Sequence, residues 1–248
     1  MTNTIVYFTD NTLTPILATK CREILEREAG DNPIISVSQV PIELGKNICI
    51  GEIGRSWISL YKQLLAGVEA AETKYVVCAE HDCLYSNEHL SWVPPTDEKF
   101  YYNHNFWLLW LGDRHPELKG MYSYWPNRFC LSQLICSRDL LKTSLLERLS
   151  LLENGYQMVK GLAGAGEPGV ADCIAIGRLE ASSGRPTQLQ RYFKGCLTEY
   201  ESESFMTKTP NVDIRHNSNF TGPKRGKQRT YSIPYWGEFK SLWEAESK

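Results

Sequence analysis

Glu80 and Asp82 sit two residues apart, with His81 between them, directly after the apolar run Tyr75-Val76-Val77-Cys78-Ala79. Residues i and i+2 of an extended chain face one side. Two carboxylates placed this way make a hard, oxygen-rich site suited to Mg2+ or Mn2+. An ion held there can bridge a nucleotide diphosphate and neutralise a leaving group. Most acid-x-acid triplets are solvated turns. Here the run before the triplet favours a site, because a buried strand seldom ends in three titratable residues without a ligand.

Other side chains with chemical potential are scattered along the chain. Thr9, Asp10 and Asn11 follow the apolar run Ile5-Val6-Tyr7-Phe8. Arg55 lies in Gly54-Arg55-Ser56, and Glu167 in Gly164-Ala165-Gly166-Glu167-Pro168, with Asp172 close behind. His216 lies in Arg215-His216-Asn217. Each also has a plain structural use. Asp and Asn favour turns, and a lone His is more often structural than a ligand. For Glu167 the two readings, a functional acid and a solvated loop acid, are evenly balanced. Arg55 is poorly placed at a helix start unless an anion lies nearby. His81, His89, His104 and His115 form no i, i+4 pair and no zinc spacing.

The elements that must position these residues begin β-α-β. A strand at 5–8 leads to an amphipathic helix over 15–28, then Gly30-Asp31-Asn32-Pro33 and a second strand at 34–38. That order predicts a parallel pair. Ile53, Trp57, Leu60, Leu64, Val68 and Ala71 recur at helical steps and predict a helix over 53–71. Residues 74–79 read as a buried parallel strand. The acidic triplet then falls at the carboxyl end of a central strand, where open α/β sheets place ligands. Aromatic-rich stretches at 100–111 and 121–125 predict antiparallel additions to the sheet. Ser137 is placed to cap a helix over 137–152, whose stripe is Leu140, Leu141, Leu145, Leu149 and Leu152.

The chain has 248 residues, 42% of them hydrophobic and 11% aromatic, with a net charge of -2. This composition excludes disorder. No stretch approaches the ~18 apolar residues of a spanning helix, and the N-terminus has no signal-peptide pattern. The eight cysteines include no C-x-x-C spacing, so they read as reduced, small hydrophobes of a cytoplasmic protein.

In the order and spacing of these motifs, the sequence resembles the GT-A glycosyltransferases, family-2-like members in particular. Glu80-His81-Asp82 stands where they carry a D-x-D triplet, and Gly54-Arg55-Ser56 where a helix opens with an Arg-Asn pair. Gly164 to Pro168 stands for a G-x-G-E-D loop, with Pro168 in place of the second acid, and His216 for a late metal-binding His. The resemblance spans residues 3 to 222. It implies a Rossmann-like α/β fold: a mixed, mostly parallel central sheet flanked by helices, with antiparallel additions. It implies one catalytic domain over 1–222 and a basic, aromatic extension over 223–248 packed on it. Thr9, Asp10, Asn11 and Arg55 would then contact the nucleotide of a nucleotide-sugar donor, a UDP-sugar by preference. Asp82, Glu80 and His216 would serve Mn2+ or Mg2+, with Glu80 on metal or ribose. Glu167 would be the general base, Asp172 its runner-up.

Residues 206–231 carry six basic residues against one acid, Asp213, so the remaining chain is distinctly acidic. Lys224 and Arg225 would clamp the donor diphosphate or hold the phosphates of a nucleic-acid acceptor. Tyr231, Tyr235 and Trp236 beside them offer stacking surfaces. The chain also resembles small phage and bacterial glycosyltransferases, some of which modify hydroxymethylated bases of DNA. The acceptor is thus either DNA or a glycan or small molecule. Two alternatives stand beside this reading. A nucleotidyltransferase would use the same acids but usually carries a glycine-rich basic loop after the first strand, which Thr9 to Leu13 lacks. A non-catalytic nucleic-acid-binding module would use the basic segment and leave the triplet unexplained.

Overall fold

The computed structural model describes residues 2–124, 126–154, 157–158, 167–170, 176–177, 198, 200–219 and 228–240. Asp172, Lys224 and Arg225 lie outside these residues.

The chain opens with β1 (Thr4–Thr9), α1 (Pro15–Ala29), β2 (Ile34–Ser38), β3 (Lys46–Cys49), α2 (Trp57–Ala70) and β4 (Tyr75–Glu80). The middle holds β5 (Cys83–Leu84), α3 (Asn87–Leu90), β6 (Lys99–Asn103), β7 (Phe106–Trp110), β8 (Tyr122–Tyr124), β9 (Leu134–Ser137) and α4 (Arg138–Glu153). After a two-residue pair, β10 (Gln157–Met158) and β11 (Ile176–Gly177), come β12 (Glu201–Phe205) and β13 (Asn211–Arg215). The last are β14 (Gln228–Thr230), β15 (Ser232–Ile233) and β16 (Gly237–Glu238).

A seven-stranded sheet runs β12-β6-β9-β4-β1-β2-β3. Its β4-β1-β2-β3 part is parallel; the sequence predicts the strands β1, β2 and β4, whereas β3 is a further, partly exposed edge strand. The outer part is mixed. β9 runs antiparallel between β4 and β6, while β12 lies parallel to β6. α2 and α4 cover one face of this sheet, and α1 packs on the other. α2 sits so close that a Cβ at Gly67 would overlap Val6.

A five-stranded sheet, β14-β8-β7-β13-β5, continues directly from the acidic triplet. It packs against α1 through Leu109, Tyr122, Val212 and Ile214. The described part of 223–248 belongs here. β14 pairs with β8, and Ile233 and Trp236 are buried beside Leu17 and Ile24 of α1. Trp236 is therefore a core residue whose indole N–H donates to the Pro210 carbonyl, not a stacking surface. Tyr231 and Tyr235 remain exposed.

α2 begins at Trp57 rather than Ile53. Gly54 has φ +75°, Ser56 is extended, and Ser56 and Ser59 cap each other reciprocally. α4 begins after its Ser137 cap, as predicted. Among the described residues, no helix is long and apolar enough to cross a membrane.

Candidate active site

Phe8 of β1 pairs with Glu80 of β4, so the two strand ends emerge side by side. Asp213 of β13 pairs with Cys83 of β5, and the Ile214 N–H donates to the Asp82 carbonyl at 2.8 Å. This bond fixes β13 beside the triplet. Above these carboxyl ends lies a cleft of about 140 Å3. Thr9, Asp10, Arg55, Glu80, Asp82 and Glu167 all line it.

Asp82 is the hub. One of its oxygens, Oδ2, accepts from His216 Nε2 at 3.2 Å and from Asn219 Nδ2 at 2.8 Å. The Ser218 N–H donates to His216 Nδ1, which assigns the His216 proton to Nε2. Ligand atoms of His81, Asp82 and His216 lie within 4.8 Å of one another, as do those of Glu80, Asp82 and Cys83. Carboxylate and imidazole donors at that spacing fit a divalent cation, so the metal chemistry implied by the triplet is compatible with the residues present.

Charge is distributed unevenly over this floor. Burial works against ionisation of Asp82, but the His216 hydrogen bond and the nearby His81 and Arg215 hold its carboxyl down at about 2. Burial, with repulsion from Asp82 and Asp213, pushes Glu80 well above the usual carboxylate range. Asp213 is also raised by burial, against the pull of Arg215, whose Nη1 lies 3.1 Å from its Oδ1. Burial lowers His81, keeping it a neutral imidazole.

The mouth is formed by Asp10 and Arg55, which pair directly. This ion pair supplies the anion that a cation at the start of α2 needs. Arg55 Nη2 also donates to the Ser218 carbonyl at 2.6 Å. Asp10 Oδ1 accepts from the Thr12 N–H and hydroxyl, so the turn and cleft roles of this residue coexist. Asn11 is placed differently from Thr9 and Asp10. It does not line the cleft, and its Oδ1 is engaged by the Gln39 and Val40 N–H groups.

The opposite wall carries Glu167. Tyr102 OH donates to the Pro168 carbonyl at 2.7 Å, and buried Arg148 donates to the Glu167 carbonyl at 3.4 Å. Gly169 turns the chain at φ +75°, against Phe100 and Ser202. Sequence reasoning missed Arg128, Cys130, Asp213 and Arg215, all of which line the cleft. Asp213 and Arg215 had a signal: Asn211-Val212-Asp213-Ile214-Arg215 alternates at strand period. Arg215, counted above among the six basic residues of 206–231, is buried in the floor.

No protein-family model matches the chain, and no curated protein matches it. The fold and site define a mixed α/β protein with a polar cleft at the carboxyl ends of its central strands.

Proposed function

We propose that the protein is a metal-dependent glycosyltransferase of GT-A type, moving a sugar from a nucleotide-sugar donor, preferably a UDP-sugar, to an acceptor hydroxyl. One observation carries the reading. Four segments far apart in sequence meet in one cleft: the end of β1, the start of α2, the triplet after β4, and Glu167. His216 joins them through Asp82.

Asp82 and His216, with Glu80 beside them, would hold Mn2+ or Mg2+, which when bound neutralises the diphosphate leaving group. Phe8, Trp57 and Leu60 form an apolar wall suited to the face of a base. Arg55 adds positive charge at the mouth for phosphate. On the other wall Glu167 takes the proton of the acceptor hydroxyl. The hydroxyl oxygen then bonds to the anomeric carbon as its bond to the diphosphate oxygen breaks, and the nucleoside diphosphate leaves.

Calorimetry with UDP, with and without Mn2+, tests the donor half. Binding that requires the ion and vanishes in Asp82→Ala supports the proposal; no metal-dependent binding of any nucleoside diphosphate ends it. A hydrolysis screen of nucleotide sugars then names the sugar. Comparing transfer to plain and hydroxymethylated DNA tests a hydroxymethylated base as the acceptor against glycans and small molecules.

A further inference from the structure

We propose that His81, the middle residue of the triplet, is itself a metal ligand, and that His81, Asp82 and His216 form a two-imidazole, one-carboxylate set selecting a transition-metal dication over Mg2+. The inference rests on reading the cleft as a metal-dependent donor site. It goes further by assigning the third ligand and the class of ion.

The ligand atoms of the three residues lie within 4.8 Å of one another. An ion with bonds of about 2.0–2.2 Å spans ligand pairs up to about 4.4 Å apart, so small side-chain rotations close the set. His216 Nε2 and Asp82 Oδ2, at 3.2 Å, already fit. The two imidazole rings face the same space, with centroids 6.1 Å apart and planes at 58°.

His81 is also held from behind as metal-binding histidines are. Its Nδ1 lies 2.7 Å from Thr9 Oγ1 and 3.6 Å from Asp10 Oδ1. The Asp10 carboxylate lies beyond hydrogen-bond distance, but its charge favours a proton on Nδ1, which the Thr9 hydroxyl then accepts, leaving the Nε2 lone pair for an ion. On His216, ligation through Nε2 moves the proton to Nδ1, so the Ser218 N–H contact gives way. Mg2+ prefers an all-oxygen octahedron, whereas imidazole nitrogen favours Mn2+, Co2+ and Zn2+ increasingly. Three protein ligands leave open positions for diphosphate oxygens. Glu80 and Asp82 make the competing carboxylate pair, which suits Mg2+; Cys83, the third residue at that spacing, is a soft sulfur donor that Mg2+ does not use.

Chelator-stripped full-length protein, titrated with MnCl2, CoCl2 or MgCl2 alone, tests the assignment. We expect Mn2+ and Co2+ to bind at least about tenfold tighter than Mg2+. Pulsed EPR of the Mn2+ form should show nitrogen couplings from two imidazoles. In His81→Gln one coupling should vanish and Mn2+ affinity should fall by more than the roughly 10- to 100-fold typical of losing a residue that only supports a ligand, with Mg2+ binding unchanged. Equal Mg2+ and Mn2+ affinities, or a single imidazole coupling in the wild type, would overturn the proposal whether or not the variant folds. Metal binding as described without UDP binding refutes the glycosyltransferase reading alone. UDP binding supported equally by Mg2+, with no role for His81, refutes this inference alone.

Discussion

Glu80, Asp82, Asp213 and Arg215 crowd the cleft floor, whereas His89 sits by itself in an aromatic stack on the other side of Tyr85. Tyr85 joins the two regions. Its hydroxyl accepts the Glu80 N–H at 2.8 Å, and its ring stacks on His89 with centroids 5.6 Å apart. On the floor, burial and neighbouring charges act together: burial, then repulsion from Asp82 and Asp213, drives Glu80 toward its neutral form, while His216, His81 and Arg215 keep Asp82 ionised against the same burial. In the stack no charge compensates, and burial holds His89 neutral. Burial with compensation keeps a charge in place for a partner, while burial without it converts the group into core. A polar cluster and a polar core residue can thus have similar exposure and opposite uses.

The sharpest break in that contrast is Asp82→Ala. It removes the one acceptor shared by His216 and Asn219. Metal-dependent nucleotide binding should fall below detection in calorimetry, and transfer with it, while circular dichroism shows a folded chain. Binding that survives would move the site to Glu80. Next comes Glu167→Gln, across the cleft. It keeps the side-chain size and the main-chain bonds from Arg148 but removes the basic oxygen. Turnover should drop about 10²- to 10⁴-fold with UDP binding unchanged. A loss of binding instead would place Glu167 with the donor.

The parts of this arrangement that the sequence reveals are those governed by local periodicity. β1 and β4 are continuous apolar runs, and the residues after them fall where parallel strands end. α4 announces itself by its Ser137 cap and leucine stripe. The start of α2 is less legible. Ile53 fits the helical stripe, yet its N–H is taken by Gln39 Oε1, a partner fourteen positions away in the chain. Asp213 and Arg215 alternate with Val212 and Ile214, which marks a strand with one polar face. What that face meets depends on pairing with Cys83, which no local pattern encodes. His81 is similar. Its partner His216 lies more than a hundred residues on, so no metal-ligand spacing exists to be read.

Arg215→Met tests whether compensation holds the floor together. The Asp213–Arg215 pair is nearly solvent-free, with side chains 4% and 7% exposed. Breaking such a pair leaves an uncompensated acid and costs about 3–5 kcal/mol, readable as a lower midpoint in urea. Adding Asp213→Asn should recover part of that loss, because the remaining group no longer needs a counter-charge. If the single variant is as stable as wild type, the guanidinium serves the ligand and not the fold.

His89 should give the smallest effect at neutral pH and a large one in acid. Its Nδ1 lies 3.3 Å from Asn103 Nδ2, and its ring lies between Tyr85 and Phe205. Among the described residues its Nε2 has no hydrogen-bond partner. Burial lowers its pKa from 6.5 to about 3. The unfolded chain therefore takes up a proton near pH 6.5, and the folded chain does so only near pH 3. Between these values the unfolded state binds more protons, so this contribution to stability is complete above pH 6.5 and is lost as pH falls. At about 1.4 kcal/mol per unit, the loss approaches an upper limit of about 4–5 kcal/mol near pH 3. His89→Phe keeps the stack and removes the titration. Its stability at pH 7 should change by less than about 1 kcal/mol, since one buried hydrogen bond is exchanged for a better-matched ring. Its unfolding midpoint should then fall less steeply than that of wild type between pH 6.5 and 3. Parallel acid limbs for the two proteins would mean that His89 is protonated inside the stack, and the contrast with the cleft floor would fail.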